Sequence, residues 1–490
     1  MSEQVERLAA RTLLVGFDGQ SVPTWVREAA PGLGGVVLYG DNIRSDDDAA
    51  RLAGEVRERG DALLAVDEEG GDVTRLHYTT GSPTPGNYVL GAADDVAATR
   101  AVAAAIGARL RRSHVLLNLA PDADVNSNPA NPVIGVRAFG AEPERVSRHT
   151  VAYVEGLQAQ GVAACVKHFP GHGDTSADSH HELPVVALDE EEWRRVHLPP
   201  FAAAIRAGAR TVMTAHIRFP ALDPHLPATL SRRILVGLLR EELGFDGAVI
   251  TDALEMEAIA ATYGAAQAAP LAIAAGADLL CLGARDGEAT YRNALAAIVG
   301  AVRDGALTVD RLEEAAARVD ALHGWVASAP SAGAEGDGGA GYSATRRAAL
   351  VRDLVPLDTG PVLVELRGET NLAVGRARWD LAGPLAALGV APVVTVRVTS
   401  PSDDGLADAL GKAGGHPVVV VGRDVPRHAW QREVLDHVRA SAPDAVLVDL
   451  GLPRPADLGA GPYVLVGGAA RPNLRVAAEL LAGRDMSPQD

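Results

Sequence analysis

Apolar residues of this chain are concentrated in short runs rich in valine, isoleucine and leucine, separated by polar stretches in which apolar residues recur with helical spacing. Near-continuous apolar strands that alternate with helices are typical of a parallel sheet covered on both faces. About eight such units close into a (β/α)8 barrel, so we predict a TIM-like barrel over residues 1–326. The runs that predict its strands are TLLVGFDG (12–19), GGVVLYG (34–40), ALLAVDEE (62–69), HVLLNLAP (114–121), VAACVKHFP (162–170), TVMTAHI (211–217), GAVITDAL (247–254) and ADLLCLG (277–283).

A second domain follows a break in this pattern. Residues 327–344, ASAPSAGAEGDGGAGYSA, are rich in glycine, alanine and serine and predict a flexible linker. Beyond them the alternation of apolar runs and helical stretches resumes, which predicts a smaller, doubly wound α/β sandwich domain over residues 345–490. Its expected strands are PVLVEL (361–366), PVVTVRV (392–398), PVVVVG (417–422), AVLVDL (445–450) and YVLVGG (463–468).

Charge and composition exclude several classes of partner. The 63 acidic residues outnumber the 45 basic ones, and a net charge of −18 repels the phosphates of nucleic acid. No apolar stretch reaches the about 18 residues of a membrane helix, and the first residues lack the basic start of a secretion signal. Cys165 and Cys281 lie inside apolar runs, as buried hydrophobic residues do. We therefore expect a cytoplasmic protein that binds neither nucleic acid nor membrane.

Polar residues follow the apolar runs where a barrel carries its active site. Loops at the carboxyl ends of the strands form that site, and the residues placed there are Asp67, Glu68, Asp122, Asp124, Lys167, His168, His216 and Asp252. Any one acid could instead cap the next helix, but a ring of such groups around one mouth predicts chemistry. Asp252, directly after GAVIT, is placed to act as a metal ligand, base or nucleophile. Glu255 and Glu257 are expected on the following helix, facing solvent.

The segment KHFPGHGDTSADSHHELP (167–184) concentrates titratable residues after the fifth run. Its prolines and glycines predict a mobile loop over the mouth from Gly171 to Leu183. Within it, Asp178 precedes His180 by two residues, and a carboxylate bound to one ring nitrogen raises the basicity of the other. The segment therefore predicts a proton-transfer pair, with a solvated polar loop or a structural turn as the plainer alternatives.

A metal site is a further alternative for these histidines. Its ligands would be His168, His172, Asp174 and His180. Pro170 and Gly171 separate the first two, so helical ligand geometry is not available, and we expect no catalytic metal.

Six segments together resemble glycoside hydrolase family 3, and within it the bacterial β-N-acetylglucosaminidase branch. They are KHFPGHGDTSADSHHELP (167–184), NPANPVIGVRAFG (128–140), VDEEGGDVTRL (66–76), VMTAHIRFPALD (212–223), PATLS (227–231) and GAVITDALEMEAI (247–259). The resemblance spans about residues 10–325. It implies a cofactor-independent retaining enzyme that removes terminal β-linked N-acetylglucosamine (GlcNAc) from chitooligosaccharides or cell-wall fragments.

The resemblance also implies a role for each matching residue. Asp252 corresponds to the nucleophile, His180 to the general acid/base, and Asp178 to the group that orients it. The positions that hold the sugar in the first subsite are Asp67, Arg137, Lys167 and His168, with Asp124 and His216 in the same shell. A retaining glycosidase needs one attacking carboxylate and one proton shuttle, so the set is chemically coherent.

One segment departs from the family pattern, and several functions stay open. DEEGGD (67–72) has Glu68 and Asp72 where a neutral and a basic residue are common, which predicts more acidic surroundings and a neutral rather than muramyl-type aglycone. An imidazole acid/base does not repel anions, so phosphate could replace water and yield GlcNAc-1-phosphate. The remaining alternatives are a β-glucosidase-type exo-glycosidase, a metal-dependent hydrolase and a non-catalytic GlcNAc-binding protein.

Overall fold

Eight parallel strands form the predicted barrel in a computed structural model that describes residues 2–176, 183–368, 374, 379–411 and 413–486. Every strand lies within the apolar run that predicted it, and neighbours along the chain pair in order, with the last strand beside the first. The (β/α)8 prediction is therefore confirmed. The strands are β1 Leu13–Val15, β2 Gly35–Leu38, β3 Leu63–Val66, β4 Leu117–Asn118, β5 Ala163–Phe169, β6 Thr211–Thr214, β7 Ala248–Thr251 and β8 Leu280–Cys281.

Helices surround this barrel. They are α1 Ser2–Arg11, α2 Thr24–Ala29, α3 Asp46–Arg57, α4 Asn87–Ala93, α5 Val96–Arg112, α6 Pro143–Gln158, α7 Glu190–Val196, α8 Leu198–Arg206, α9 Glu257–Tyr263, α10 Ala265–Ala275, α11 Gly287–Arg303 and α12 Val309–Ser328, with a π-helical segment at Arg233–Glu242 and short 3-10 turns at Gly135–Arg137 and Ala228–Leu230. Side-chain caps start several of them: Ser45 accepts a hydrogen bond from the backbone N–H of Asp48 in α3, and Asp95 does so for Ala98 in α5.

No single helix among the described residues is long and apolar enough to cross a membrane. Helices α9 and α10 meet that length and composition only as a pair, and a bend of 100° separates them.

The barrel interior is packed with side chains that alternate inward along the strands. Leu14, Val37, Cys165 and Ile250 belong to this cluster, and residues of α12 such as Leu322 pack against it. Dense apolar packing inside the barrel leaves polar chemistry to the strand ends. Both cysteines are buried and free, as the sequence predicted.

Strand pairing is weakest where β7 meets β8, and side-chain carboxylates supplement it there. One bridge, Ile250 with Leu279, joins these strands. At its amino end, the fully buried Asp278 accepts a hydrogen bond from Val249 N (2.9 Å) and pairs with Arg311 (2.8 Å). At the carboxyl end, Glu255 accepts a hydrogen bond from Gly283 N. The seam of the barrel is thus closed by an acidic side chain at each end.

The second domain contains a six-stranded sheet with helices on both faces. Its strand order is β11-β10-β12-β13-β14-β9, in which only β9 is antiparallel to its neighbour. Separate apolar clusters cover the two faces, which confirms the doubly wound sandwich. The elements are α13 Ala340–Ala348, β9 Leu350–Arg352, β10 Val362–Leu366, α14 Ala382–Ala387, β11 Val394–Val398, α15 Asp404–Gly411, β12 Val418–Gly422, α16 Ala429–Ser441, β13 Val446–Asp449, β14 Tyr463–Leu465 and α17 Arg471–Ala482, with 3-10 turns at Val425–Arg427 and Pro455–Asp457.

The segment expected to be a flexible linker, 327–344, is attached along the barrel. Ala332 N donates to Ala159 O (3.0 Å), and Ala334 N donates to the side chain of Gln160 (3.2 Å). Helix α13 begins within the segment and packs against α4 and α5 of the barrel and against α17. Small residues in this segment allow helices to pack closely. Composition alone does not distinguish such packing from a flexible linker.

Replacing Asp278 by alanine should destabilise the protein by about 3–5 kcal/mol, because it leaves arginines of the seam without their buried partner. Thermal or urea unfolding measures the loss. Asp320→Ala is the matched control, since it also removes an arginine partner (Arg11, 2.6 Å) but from a side chain that is 61% exposed. That surface pair should contribute about 1 kcal/mol or less, and equal effects of the two variants would contradict the account of the seam.

Candidate active site

Side chains from the ends of β3, β4, β5 and β7 meet at one mouth of the barrel. Asp67 follows β3, Asp124 follows β4, Lys167 and His168 end β5, and Asp252 follows β7. The carboxyl ends of all barrel strands lie on the same side, so the fold itself gathers these residues.

A chain of alternating charges occupies the β3–β5 side of the mouth. Lys167 Nζ lies 2.7 Å from Asp67 Oδ1 and 2.7 Å from Glu69 Oε1, and Glu69 also binds Arg137 through two hydrogen bonds of 2.7 and 3.0 Å. Glu69, Lys167 and Arg137 are each at most 5% exposed, whereas Asp67 is 18% exposed. Buried charges require such pairing, and Asp67 is left as the member most open to a ligand.

The charge pattern keeps Glu69 and Lys167 ionised despite burial. Burial alone would raise the pKa of Glu69, but the charges of Arg137 and Lys167 outweigh it and hold the pKa well below its usual value. Burial likewise opposes the charge of Lys167, while Asp67 and Glu69 raise its pKa. Glu69 and Lys167 therefore both stay charged near neutral pH.

Glu69 is the central acceptor of this network, and the sequence analysis missed it. The signal was the pair Gly70-Gly71 directly after it, which predicts a tight turn. Both glycines have positive φ (83° and 64°), and a Cβ on Gly71 would lie 2.4 Å from the Cα of Gly86. This turn lets Glu69 point back to the strand end that bears Lys167.

Asp124 orients the ring of His168, and burial keeps that imidazole neutral. Its Nδ1 donates to Asp124 Oδ2 (2.7 Å), and its Nε2 lies 3.5 Å from Arg137 Nη2. Burial and, after it, the charge of Arg137 lower the pKa of His168 to about 4, against the opposing charges of Asp122 and Asp252. Burial raises the pKa of Asp124, which is fully buried, to about 6. Asp124 thus orients His168 and has no surface of its own for a sugar.

One group of described residues has the composition of a metal site: Asp122, Asp124 and His168, whose ligand atoms lie within 4.8 Å of one another. Hydrogen bonds join these residues to one another: His168 Nδ1 lies 2.7 Å from Asp124 Oδ2, and Asp124 N donates to Asp122 Oδ1 (2.9 Å). Of the set considered from sequence, His180 lies outside the described residues, and His172 Nδ1 lies 2.8 Å from Thr175 Oγ1.

The beginning of the loop after β5 is buried, although the sequence predicted a mobile loop from Gly171 onward. His172 and Thr175 are buried, Asn131 donates to His172 O (2.8 Å), and a Cβ on Gly173 would lie 1.7 Å from Val125 O. The loop after β4 therefore fixes this stretch. The predicted proton-transfer pair, Asp178 and His180, lies outside the described residues.

Asp252 stands on a turn that His216 supports. The Oδ1 of Asp252 accepts a hydrogen bond from Ala253 N (2.8 Å), while His216 Nε2 donates to Ala253 O (3.0 Å). The Nδ1 of His216 lies 2.8 Å from Thr229 Oγ1. His216 was assigned to the sugar from sequence, but the structure places its ring nitrogens on the protein, where they position the carboxylate.

The comparison with known families decides what this arrangement belongs to. The family model for the glycosyl hydrolase family 3 N terminal domain matches residues 17–322, which include strands β2 to β8 of the barrel and every site residue named above. The chain belongs to glycoside hydrolase family 3.

Three relatives of this family 3 protein are named β-hexosaminidase or β-N-acetylglucosaminidase. A β-hexosaminidase A from Pseudoalteromonas piscicida is 34% identical over 317 residues, which cover 59% of this chain and 53% of that protein. A β-hexosaminidase from Xylella fastidiosa is 35% identical over 318 residues, covering 61% of this chain and 93% of that protein. The solved structure of a family 3 β-N-acetylglucosaminidase from Paenibacillus sp. strain FPU-7 superposes with a TM-score of 0.89 at 32% identity, covering 99% of this chain and 97% of that chain.

Glu255 of this family 3 barrel lies at the site, not on a solvent-facing helix as expected. Helix α9 begins two residues later, and Glu255 turns back to accept the N–H of Gly283. Burial raises the pKa of Glu255 to about 7, and the charge of Asp252 adds to this against the backbone hydrogen bonds. A titrating carboxyl therefore lies beside the predicted nucleophile.

Glu68 and Asp72, the two departures from the family pattern, do not face the mouth. The carboxylate of Glu68 accepts from Thr74 Oγ1 (2.7 Å) and from two backbone N–H groups of its own loop. Asp72 is buried and pairs with Arg423 of the second domain (2.9 Å). Neither carboxylate makes the mouth more acidic, so the expected preference for a neutral aglycone loses its basis.

Glu69→Gln should lower kcat/KM by about 100-fold, because Lys167 and Arg137 lose their common charged acceptor and shift within the mouth. Unfolding stability should fall by about 3–5 kcal/mol for the same reason. The control is Glu155→Gln on α6, which removes the carboxylate from an exposed pair with Arg100 of α5. A folded Glu69→Gln protein with wild-type kcat/KM would refute this role.

Glu255→Gln should remove part of the pH dependence of stability. The folded-state pKa of Glu255 is about 7, above its usual 4.5, so its contribution is complete below about pH 4.5 and is lost as pH rises through about 7. Wild type should therefore lose stability over this window relative to the variant, measured as the difference in Tm at each pH. Glu257→Gln, on the exposed first turn of α9, controls for loss of a charge. A wild-type minus Glu255→Gln difference that is constant with pH would contradict the titration.

Proposed function

We propose that this chain is a retaining exo-β-N-acetylglucosaminidase that removes terminal β-GlcNAc from chitooligosaccharides or cell-wall-derived fragments. The observation that carries the proposal is the placement of Asp252 at the end of β7, on the mouth that also holds the charge chain of Asp67, Lys167, Glu69 and Arg137. The names of these relatives, β-hexosaminidase and β-N-acetylglucosaminidase, support the choice of sugar.

The charge chain provides a subsite for the hydroxyl groups of one sugar ring. Asp67, the most exposed member, accepts hydrogen bonds from hydroxyls, while Lys167 and Arg137 donate to them. His168, neutral and oriented by Asp124, offers its Nε2 to the same ring. Fixed donors and acceptors of this kind hold the anomeric carbon in line with an attacking group, and Asp252 is the carboxylate on the other side of the mouth.

The proposed reaction takes two steps. A carboxylate oxygen of Asp252 bonds to the anomeric carbon, the bond from that carbon to the glycosidic oxygen breaks, and the departing oxygen takes a proton from the general acid, for which the sequence predicts His180 oriented by Asp178. Water then gives a proton back to the same group and bonds to the anomeric carbon, which releases Asp252 and GlcNAc. Two inversions leave the β configuration of the sugar retained.

Asp252→Asn should reduce kcat on an aryl 2-acetamido-2-deoxy-β-glucoside by about 10⁴-fold, since a carboxamide cannot form the glycosyl ester. Asp246→Asn is the matched control, because Asp246 is an exposed residue before the amino end of the same strand. Proton NMR of the wild-type reaction should show the β anomer of GlcNAc first, and chelator should leave the rate unchanged.

Each alternative function has its own outcome in this assay. Preference for the matching β-glucoside would move the protein to the β-glucosidase type, and GlcNAc-1-phosphate in phosphate buffer would show phosphorolysis. An α anomer formed first, or Asp252→Asn activity within tenfold of wild type, would overturn the retaining mechanism. Binding of GlcNAc without turnover of any glycoside would make the chain a binding protein.

A further inference from the structure

The second domain presents the carboxyl ends of its strands to the barrel mouth. Open doubly wound sheets bind ligands at that edge, but here the loops after β12 and β14 contact barrel loops instead. Arg423 follows β12 and Ala469 lies beyond β14, and both contact Asp72 in the loop after β3. Arg427, four residues beyond Arg423, contacts the loop after β4. The edge that usually holds a ligand thus holds two active-site loops.

The first contact fixes the turn that bears Glu69. Asp72 is 2% exposed; its Oδ2 pairs with Arg423 Nη2 at 2.9 Å and its Oδ1 accepts from Ala469 N at 2.7 Å. Burial raises the pKa of Asp72 while Arg423 opposes this, so the carboxylate depends on its arginine. Glu69 N donates to Val73 O (3.0 Å) across the same turn. The contacts that fix Asp72 therefore also restrain Glu69, three residues earlier in the same turn.

The second contact fixes the loop that bears Arg137. Arg427 donates to Asn131 O (2.8 Å) and Ala130 O (3.0 Å). The side chain of Asn131 in turn accepts from Ile134 N (2.9 Å), just before the 3-10 turn that ends at Arg137, and donates to His172 O (2.8 Å). One arginine of the second domain thus orders the loop after β4 and, through it, the start of the loop after β5.

We propose that Arg423 and Arg427 are positioning residues through which the second domain sets the distance between Glu69 and Arg137 in the sugar subsite. Glu69 and Arg137 lie on separate loops, and loops without a core of their own open at low free-energy cost. The ion pair between Glu69 and Arg137, at 2.7 Å, holds the sugar-binding groups in place only if both loops stay fixed. The expected change in kcat/KM rests on the proposed function, whereas the expected change in hydrogen exchange rests on the contacts alone.

The test compares Arg423→Ala and Arg427→Ala with Arg347→Ala in the full-length protein. Arg347 is the matched control, because it pairs across the same domain interface with Asp95 at the start of α5 (2.8 Å) and not with a site loop. Both site-loop variants should lose about 10- to 100-fold in kcat/KM on the aryl GlcNAc substrate, mostly in kcat, because misplaced subsite groups bind the transition state less well. Arg347→Ala should stay within twofold of wild type.

Hydrogen exchange gives a readout that does not need turnover. Arg423→Ala should speed exchange in residues 67–76, and Arg427→Ala in residues 126–137, whereas Arg347→Ala should change neither. Arg423→Lys should recover part of the kcat/KM lost in Arg423→Ala. If Arg423→Ala does not fold, the single variants Arg423→Lys and Arg427→Ala still decide the test.

Folded site-loop variants with wild-type kcat/KM and unchanged exchange would overturn the proposal, and so would an equal loss in Arg347→Ala, which would indicate domain docking in general. A wild-type protein that cleaves no glycoside would refute the proposed function instead, and the exchange comparison would still decide the positioning role.

Discussion

The ion pairs around Glu69 are the constraint on which the rest of the site depends. A carboxylate that is 2% exposed between a buried lysine and a buried arginine is stable only while both partners stay in contact. Lys167 comes from β5, Arg137 from the loop after β4 and Glu69 from the turn after β3. Three separate chain segments must therefore meet within a few tenths of an ångström, and the glycine turn, the Asp124–His168 pair and the second domain all contribute to that meeting.

The other half of the site follows a different logic. Asp252 directly follows β7, beside the seam where two side-chain carboxylates supplement the single bridge between β7 and β8. His216 and Glu255 hold the loops around it by hydrogen bonds to the backbone of residues 253 and 283. The side that carries Glu69 is thus fixed by buried charge, and the side that carries the proposed nucleophile is fixed by hydrogen bonds to backbone groups. The mouth therefore lies between one side held by buried ion pairs and another held by hydrogen bonds to the backbone.

The sequence predicted those features that depend on local pattern. Apolar runs located all eight barrel strands, and the polar residues after them located Asp67, Lys167, His168 and Asp252. It did not predict the direction of side chains beyond the first residues of a loop. Glu69 turns inward, Glu68 and Asp72 turn away from the mouth, and Glu255 precedes its helix, because tertiary partners far along the chain decide each case. Strand β9 was missed because it is three residues long with two of them exposed.

The central claim is that Asp252 forms a covalent bond to the sugar within this mouth. The most direct test is to incubate the protein with a 5-fluoro-GlcNAc fluoride, whose glycosyl-enzyme hydrolyses slowly, and to map the adduct by peptide mass spectrometry. The account predicts one sugar per chain, on the peptide that contains Asp252. An adduct on another carboxylate, such as Asp67, or turnover of this reagent without any adduct on Asp252, would contradict it.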